Sequence, residues 1–509
     1  MTSATVAPPR AGRREWIGLG VIALPCLLYS MDLTVLNLAV PSLSADLKPS
    51  STQLLWIIDI YGFLVAGSLI TMGTLGDRIG RRRLLLVGAA AFGVASMLAA
   101  FSSSAAMLIA ARAVLGLAGA TLAPSTMSLI RNMFLDSRQR SVAIGVWIAS
   151  YSAGGVIGPP LGGVLLQHFW WGSVFLVSVP MMVLVLALGP TLLPEFRDPK
   201  ARRPDPFSAL LSVAAVLAVI YGLKQVAAYG VGWLPGLSIA AGVAVGVAFV
   251  RRQQKLADPL IDLRLFRTPA FTAALAVYML ATFVVFGPYV FIAQYLQLVL
   301  GLSPMQAGLW SMPFALAFVV GSVLSPIVAR RVRPAVLMTA GLLVAAVGFA
   351  ALARVGGVSG LPVVVSSTIV FALGLSPVFT LANDLIIGAA PAERAGAAAG
   401  ISETCSEFGG ALGIAILGSI GTAIYRRAMA ASVPEGIPAH LAEGARDTLG
   451  GAVAAARQLP ELGAALLATA RAAFTSGLRV TATVSALIVI GMAVLVVRSL
   501  RHVRSPAEL

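Results

Sequence analysis

Charge is what this chain has least of. Only 11% of its 509 residues are Asp, Glu, Lys or Arg, against 58% hydrophobic residues, and the mean hydropathy is +0.92. A soluble domain carries about 25% charge, so these few charges could not cover a water-soluble globule of this length. Cysteine is nearly absent as well. Cys26 and Cys405 both lie in apolar runs, which excludes a disulfide framework and leaves no redox pair. Histidine is equally scarce: His168, His440 and His502 are scattered in loops or the tail, far from any metal or catalytic constellation. No phosphate-cradling glycine loop of the P-loop type occurs, so ATP hydrolysis is excluded. An enzyme is not expected, and neither is a metal or any other cofactor.

What is present is apolar sequence in blocks. A membrane span takes about 20 residues, and such runs start near Trp16, Leu54, Leu84, Ala106, Val142, Gly172, Phe207, Trp233, Phe271, Pro304, Pro334, Pro362, Ala397 and Val480. Fourteen spans consume the chain. Proline, glycine and charge fill the turns between them. The first run follows Arg10, Arg13 and Arg14 as a signal peptide would, but it exceeds twenty residues and contains Asp32, so it reads as a retained span. The predicted fold class is an all-α polytopic membrane protein.

The formal net charge of +16 and pI of about 10.8 do not point to nucleic acid once the basic residues are sorted by side. With the N-terminus inside, twenty-six of the 36 Lys and Arg fall in inner segments, Arg112 lies within a span, and nine fall outside. Six of those nine sit in one long segment after the thirteenth span. Short outer loops nearly free of Lys and Arg give the positive-inside pattern, with both termini cytoplasmic. The long outer segment, about 426–478, carries Leu459, Leu462, Leu466 and Leu467 at helical spacing. An amphipathic lid and a poorly ordered connector are both compatible with that pattern.

Five of the twenty acidic residues fall in or at the edge of spans: Asp32, Asp59, Asp384, Glu403 and Glu407. A charge at bilayer centre costs on the order of 3 kcal/mol even on the lenient insertion scale, so carboxyls kept there are candidates for proton or cation handling. Glu403 and Glu407 are spaced i, i+4 and share one helix face. Asp59, about one turn into span two from the outer side, could steer cations or snorkel to water. Asp384 ends span twelve and reads equally as an interfacial charge. Gly287-Pro288 is expected to break the ninth span and act as a hinge.

Three motifs carry a family likeness. After the second span comes Gly73-Thr-Leu-Gly-Asp77-Arg78-Ile-Gly80-Arg81-Arg82-Arg83, which resembles the loop signature of the major facilitator superfamily. Leu108-x-x-x-Arg112-x-x-Leu115-Gly116 resembles its intramembrane arginine motif, with Leu115 where Gln is usual. Gly154-x-x-x-Gly158-Pro159-Pro-Leu-Gly162-Gly163 resembles its antiporter motif, although a lone G-x-x-x-G also serves plain helix packing. With Met31-Asp32-Leu-Thr34, Trp56-Ile-Ile-Asp59 and Ser402-Glu403-Thr-Cys-Ser-Glu407, the chain looks like the fourteen-span drug:proton antiporters. Exporters of quaternary ammonium compounds, dyes and fluoroquinolones belong to that branch.

The resemblance implies two six-helix halves, 1–200 and 256–509, with two extra spans in 201–255. It implies a proton-coupled multidrug efflux antiporter of a bacterial inner membrane, monomeric, embedded in lipid, energised by the proton gradient, and working by alternating access. A dedicated exporter of one antibiotic, siderophore or lipid is the alternative. In family terms Asp32, Arg112, Glu403 and Glu407 are the proton-coupling candidates, with a static Asp32–Arg112 pair as the bland reading. Asp32, Asp59, Tyr61, Trp147, Tyr151, Phe286, Tyr289 and Glu407 are the substrate-binding candidates, because aromatic faces attract organic cations. Phe283, Phe291 and Tyr295 fall in cavity-lining spans too, and for each aromatic a packing role is equally open. Gly73, Asp77, Arg78, Gly80 and Arg81 form the cytoplasmic gate. Relatives that take divalent cations carry an acid in span ten. The run Ser303 to Ala329 has none, which favours monovalent or neutral amphiphiles.

Overall fold

A computed structural model describes residues 10–197, 205–230, 232–256, 259–261, 263–356, 360–388, 395–434 and 436–500. Helix is the only regular structure among them, and fourteen helices are long and apolar enough to cross a membrane. They are Arg13–Leu47, Ser51–Ile79, Arg81–Ala100, Ala105–Met133, Val142–His168, Ser173–Leu192, Pro206–Val226, Trp233–Lys255, Pro269–Val299, Pro304–Ala329, Pro334–Leu352, Gly360–Gly388, Ala398–Ser432 and Gly463–Leu500. They are numbered below as spans one to fourteen. Their outward faces carry large exposed apolar side chains such as Val87, Val94, Leu234, Val323 and Leu487. On a water-soluble protein such a surface would aggregate. On a multi-pass membrane protein it meets lipid.

Helix starts follow local chemistry. Ser50 and Gln53 form a capping box at span two, and Ser303 and Gln306 form another at span ten. Each satisfies amide donors that a helix start leaves unpaired. Asp205 caps span seven through the Ser208 amide and is paired with Arg252 of span eight at 3.1 Å, which ties the extra spans to each other. Spans two and three are separated by a single turn at Gly80, whose φ of +113° is open only to glycine without strain.

The halves meet at the end of the molecule that carries the long segment after span thirteen. Gln297 donates to the Leu38 carbonyl at 2.9 Å, and Gly163 of span five lies against the backbone of Pro304 and Met305 in span ten. The long segment itself is compact. Span thirteen continues to Ser432, two short helices follow at Ala439–Asp447 and Leu449–Ala456, and span fourteen starts at Gly463. The expected start near Val480 is therefore corrected by nearly five turns. Ala-rich sequence continues the helix outward although its hydropathy falls. Leu466 is fully buried there.

The expected break at Gly287-Pro288 does not occur. The helix runs uninterrupted from Pro269 to Gln294. Gly287 instead lets Leu417 and the Gly413 carbonyl of span thirteen approach its backbone. The irregularity lies about two turns later, as a π-turn over Tyr295–Val299.

Candidate transport site

Two polar centres lie inside the bundle. The first joins spans one and four. Arg112, 1% exposed, holds Asp32 at 2.5 Å. It donates its Nε to the Ile57 carbonyl at 3.2 Å, and its guanidinium lies 4.6 Å from the centre of the Tyr61 ring. Arginine cannot shed its proton, so the pair's charge state is set by the carboxyl. Asp32 borders only a small void shared with Phe92, Phe175 and Ser178. It is turned away from the central cavity, which corrects its expected place among direct substrate contacts. Tyr61 is likewise buried against Arg112 rather than lining the cavity.

The second centre is the central cavity, about 350 Å³. Spans one, two, five, nine, ten, twelve and thirteen line it. Glu407 presents its carboxylate there, surrounded by Tyr151, Tyr278, Phe286, Tyr289, Phe314 and Phe379. Of the sequence candidates, Asp59, Tyr151, Phe286, Tyr289 and Glu407 reach it. Glu403, one turn from Glu407, does not line it. Trp147 stands behind Tyr151, with ring centres 4.8 Å apart, and donates its Nε1 to Thr126 at 3.1 Å. Phe283 is buried against span thirteen, Phe291 packs on Phe474 at 5.4 Å, and Tyr295 packs under Gly360. These four are packing residues here.

Tyr29 bridges the two centres. Its ring lies 6.0 Å from Tyr61 and 5.8 Å from Tyr151. The hydroxyls of Tyr29 and Tyr61 are both buried; that of Tyr29 is directed at the Glu407 carboxylate, whereas that of Tyr61 has no hydrogen-bond partner among the described residues, a costly state for a polar atom. Nothing in the sequence beyond proximity to Asp32 pointed to Tyr29. The cavity aromatics Tyr278, Phe314, Phe318 and Phe379 also escaped sequence reading, because each sits in an apolar run where lipid-facing and cavity-facing positions look alike.

Asp59 does not snorkel to water. It is 1% exposed and faces Lys224 of span seven across 2.6 Å. Lys224, one of the nine basic residues assigned to outer segments, lies within a span and is itself 1% exposed. The bilayer layer thus holds two bases rather than one. Asp384, by contrast, is exposed near the end of span twelve.

The glycines of the antiporter motif have a direct steric use. A side chain on Gly154 would strike the Leu27 carbonyl, one on Gly158 would strike Thr34 and Met31, and one on Gly162 would strike Val35. Three turns of span five therefore lie flush against span one. Pro159 and Pro160 sit within an unbroken helix, and the Pro159 carbonyl is closely approached by Gly308 of span ten.

At the opposite end from the closed contacts, Arg81 forks onto Asp77 at 2.5 and 2.8 Å and reaches the Pro124 carbonyl at 3.3 Å. Arg82 donates to the carbonyls of Pro190 and Leu193 and pairs with Glu195 at 3.6 Å. Gly73 faces Pro124, and Arg78 is exposed. Among the described residues, this cluster bonds to spans two to four, to the end of span six and to the segment just after it, Leu193 to Phe196. The gate expected to join the halves shows no ion pair to the second half among the described residues.

Fourteen membrane-length helices around a central cavity, with ion pairs buried inside the bundle, are the architecture of a membrane transporter. The chain belongs to the Major Facilitator Superfamily, whose family model matches residues 22–414. It is 43% identical to the multidrug efflux pump LfrA of Mycolicibacterium smegmatis, over 97% of both chains. It is 36% identical to the methyl viologen resistance protein SmvA of Salmonella typhimurium, over 91% of this chain and 93% of that one. The fold matches a bacterial homolog of the human lysosomal transporter Spinster, solved inward-facing and unoccupied. The TM-score is 0.70 at 17% identity, covering 98% of this chain and 100% of that one.

Proposed function

We propose that the protein is a proton-coupled multidrug efflux antiporter. It would export lipophilic, mainly monovalent cationic compounds from the cytoplasm across a bacterial inner membrane, as a monomer with both termini cytoplasmic and no bound cofactor. The observation that carries this reading is Glu407 in a cavity of about 350 Å³ walled mainly by aromatic and aliphatic side chains, with Asp59 and a few hydroxyls besides. An organic cation gains there from ring faces and from one fixed negative charge, with few directional hydrogen bonds to restrict its shape. The relative named as a multidrug efflux pump supports drug export, and the one named as a methyl viologen resistance protein supports organic cations as substrates, without bearing on the preference for a single charge.

In this reading Glu407 is occupied either by drug or by a proton, and that exclusion couples the two fluxes. Glu403, on the same helix face, adds a repelling charge that favours occupancy of Glu407 by one or the other. Asp32 is the second proton station. When protonated it releases Arg112, and Tyr29, directed at Glu407, and Tyr61, against Arg112, lie between the two stations, placed to carry a hydrogen-bonded relay. The closed contacts at Gln297 and Gly163, together with an Asp77–Arg81 cluster that shows no ion pair to the second half among the described residues, fit an inward-facing state. Alternating access then requires the halves to part at one end and close at the other.

The test is binding of ethidium to purified protein across pH. Affinity is expected to fall on acidification in the native protein and to become weak and pH-independent in Glu407→Gln. Native binding that does not respond to pH would overturn the exclusion on which the coupling rests.

A further inference from the structure

Spans seven and eight carry most of their surface exposed, as a peripheral pair should, yet span seven delivers one fully buried charge to the cavity wall. Its face packs into the seam between spans two and thirteen. Ile220 is buried with Phe63, Ala411 and Ala415, and Val213 lies against Gly67. Through that seam Lys224 reaches Asp59 at 2.6 Å, with its Nζ also 3.8 Å from the centre of the Trp56 ring. Asp59 borders the same cavity as Glu407. Gly62, one turn further along span two, touches Ala411 and the backbone of Glu407. The two acids therefore stand on adjoining walls of one site.

The pair stands almost alone: among the described residues its only side-chain partners are the 2.6 Å contact itself and the Trp56 face. A buried ion pair needs further hydrogen bonds to offset the loss of hydration. What holds Lys224 is charge and the Trp56 face, both of which an organic cation also offers or seeks.

We propose that Lys224 is a specificity-determining residue: a tethered internal cation that occupies Asp59, so that the cavity presents a single free carboxylate, Glu407, and selects monovalent over divalent organic cations. The inference rests on the reading of the cavity as a cation site and adds the origin of its charge selectivity. Removing the lysine charge frees a second anionic contact beside the first, and a compound with two positive centres gains from both. The extra span pair thus sets the charge of the drug site from outside the two halves.

The test compares transport of ethidium, one positive charge, and methyl viologen, two, in proteoliposomes holding native protein, Lys224→Gln, Asp59→Asn and the double variant. Lys224→Gln is expected to raise the methyl viologen to ethidium transport ratio by about tenfold, the interaction of two unit charges about 12 Å apart at an effective dielectric of about 20. The double variant is expected to return the ratio to the native value. An unchanged ratio in Lys224→Gln, or a raised ratio that persists in the double variant, overturns the proposal.

Asp59→Asn keeps the test decisive where Lys224→Gln fails to fold. It leaves a bare lysine charge at the wall, so ethidium transport is expected to fall more than that of the uncharged dye Nile red, and to recover in the double variant. Equal losses for both dyes overturn the proposal as well. Native protein that moves neither cation would instead refute the efflux reading itself.

Discussion

Asp447→Ala is expected to shift the protein from its closed outer end toward the outward-open state. Asp447 ends the first short helix after span thirteen, and its carboxylate accepts from both the amide and the hydroxyl of Ser51, each at 2.9 Å. Ser51 is the first residue of span two. Its amide is one of the donors that a helix start cannot satisfy internally, and a carboxylate there also meets the positive end of the helix dipole. Arg426 approaches the same carboxylate at 3.5 Å, and Gly450 lies against Ser44 at the end of span one.

The segment after span thirteen thus caps span two, and on the proposed sidedness opening the outer end must break that cap. A hydrogen bond to a charged group contributes about 1.5–3 kcal/mol. Two would give more, but Asp447 and Arg426 remain a quarter or more exposed, so water recovers part of the loss. A net bias of about 2 kcal/mol toward the closed end follows, or a population ratio of about thirty. The assay is distance measurement between spin labels at Lys48 and Gln458 in nanodiscs. The native protein should give mainly the short distance and Asp447→Ala a populated long one. An unchanged distribution in the variant would show that the cap follows closure without contributing to it.

Three further outcomes are expected. Asp32→Asn leaves Arg112 buried with an obligate charge and should lower stability by about 3–5 kcal/mol, partly offset by Ile57 and the Tyr61 ring. Asp32→Asn/Arg112→Met should recover thermal stability in detergent yet lack gradient-driven efflux, whereas recovery of both would reduce the pair to a fold element. Gly158→Leu forces a side chain into Met31 and Thr34 and should cost about 1–3 kcal/mol. It is expected to halt transport at native surface expression, and normal transport would show that spans one and five need not stay flush. Tyr29→Phe removes a buried hydroxyl directed at Glu407; thermal stability should fall by no more than about 1–2 kcal/mol while gradient-driven efflux slows, and unaltered efflux would remove Tyr29 from the proton path.

The bundle was legible because its physics is one-dimensional. Apolar runs of span length and basic inner loops place helices without reference to tertiary contacts, and thirteen of the expected starts fall close to those of the structure. The exception, span fourteen, starts at Gly463 with an alanine-rich stretch interrupted by Arg471 and Arg479; alanine favours helix, while the two arginines keep the stretch from registering as membrane. The Asp32–Arg112 pair was anticipated because two opposite charges of comparable depth have few other partners. Lys224 was not, since a base near the end of an apolar run reads as an interfacial anchor until the neighbouring helix is known. Cavity aromatics were half legible for the same reason. Facing is a tertiary property, and Phe286 and Phe291 are indistinguishable in sequence although one lines the cavity and the other packs on Phe474.

Proton-driven drug export is the central claim, and everted membrane vesicles test it most directly. With an acidic interior, vesicles holding the native protein should concentrate ethidium, lose it when nigericin collapses the pH gradient, and fail to accumulate it with Glu407→Gln. Accumulation that persists without the gradient, or that survives in Glu407→Gln, would contradict the account.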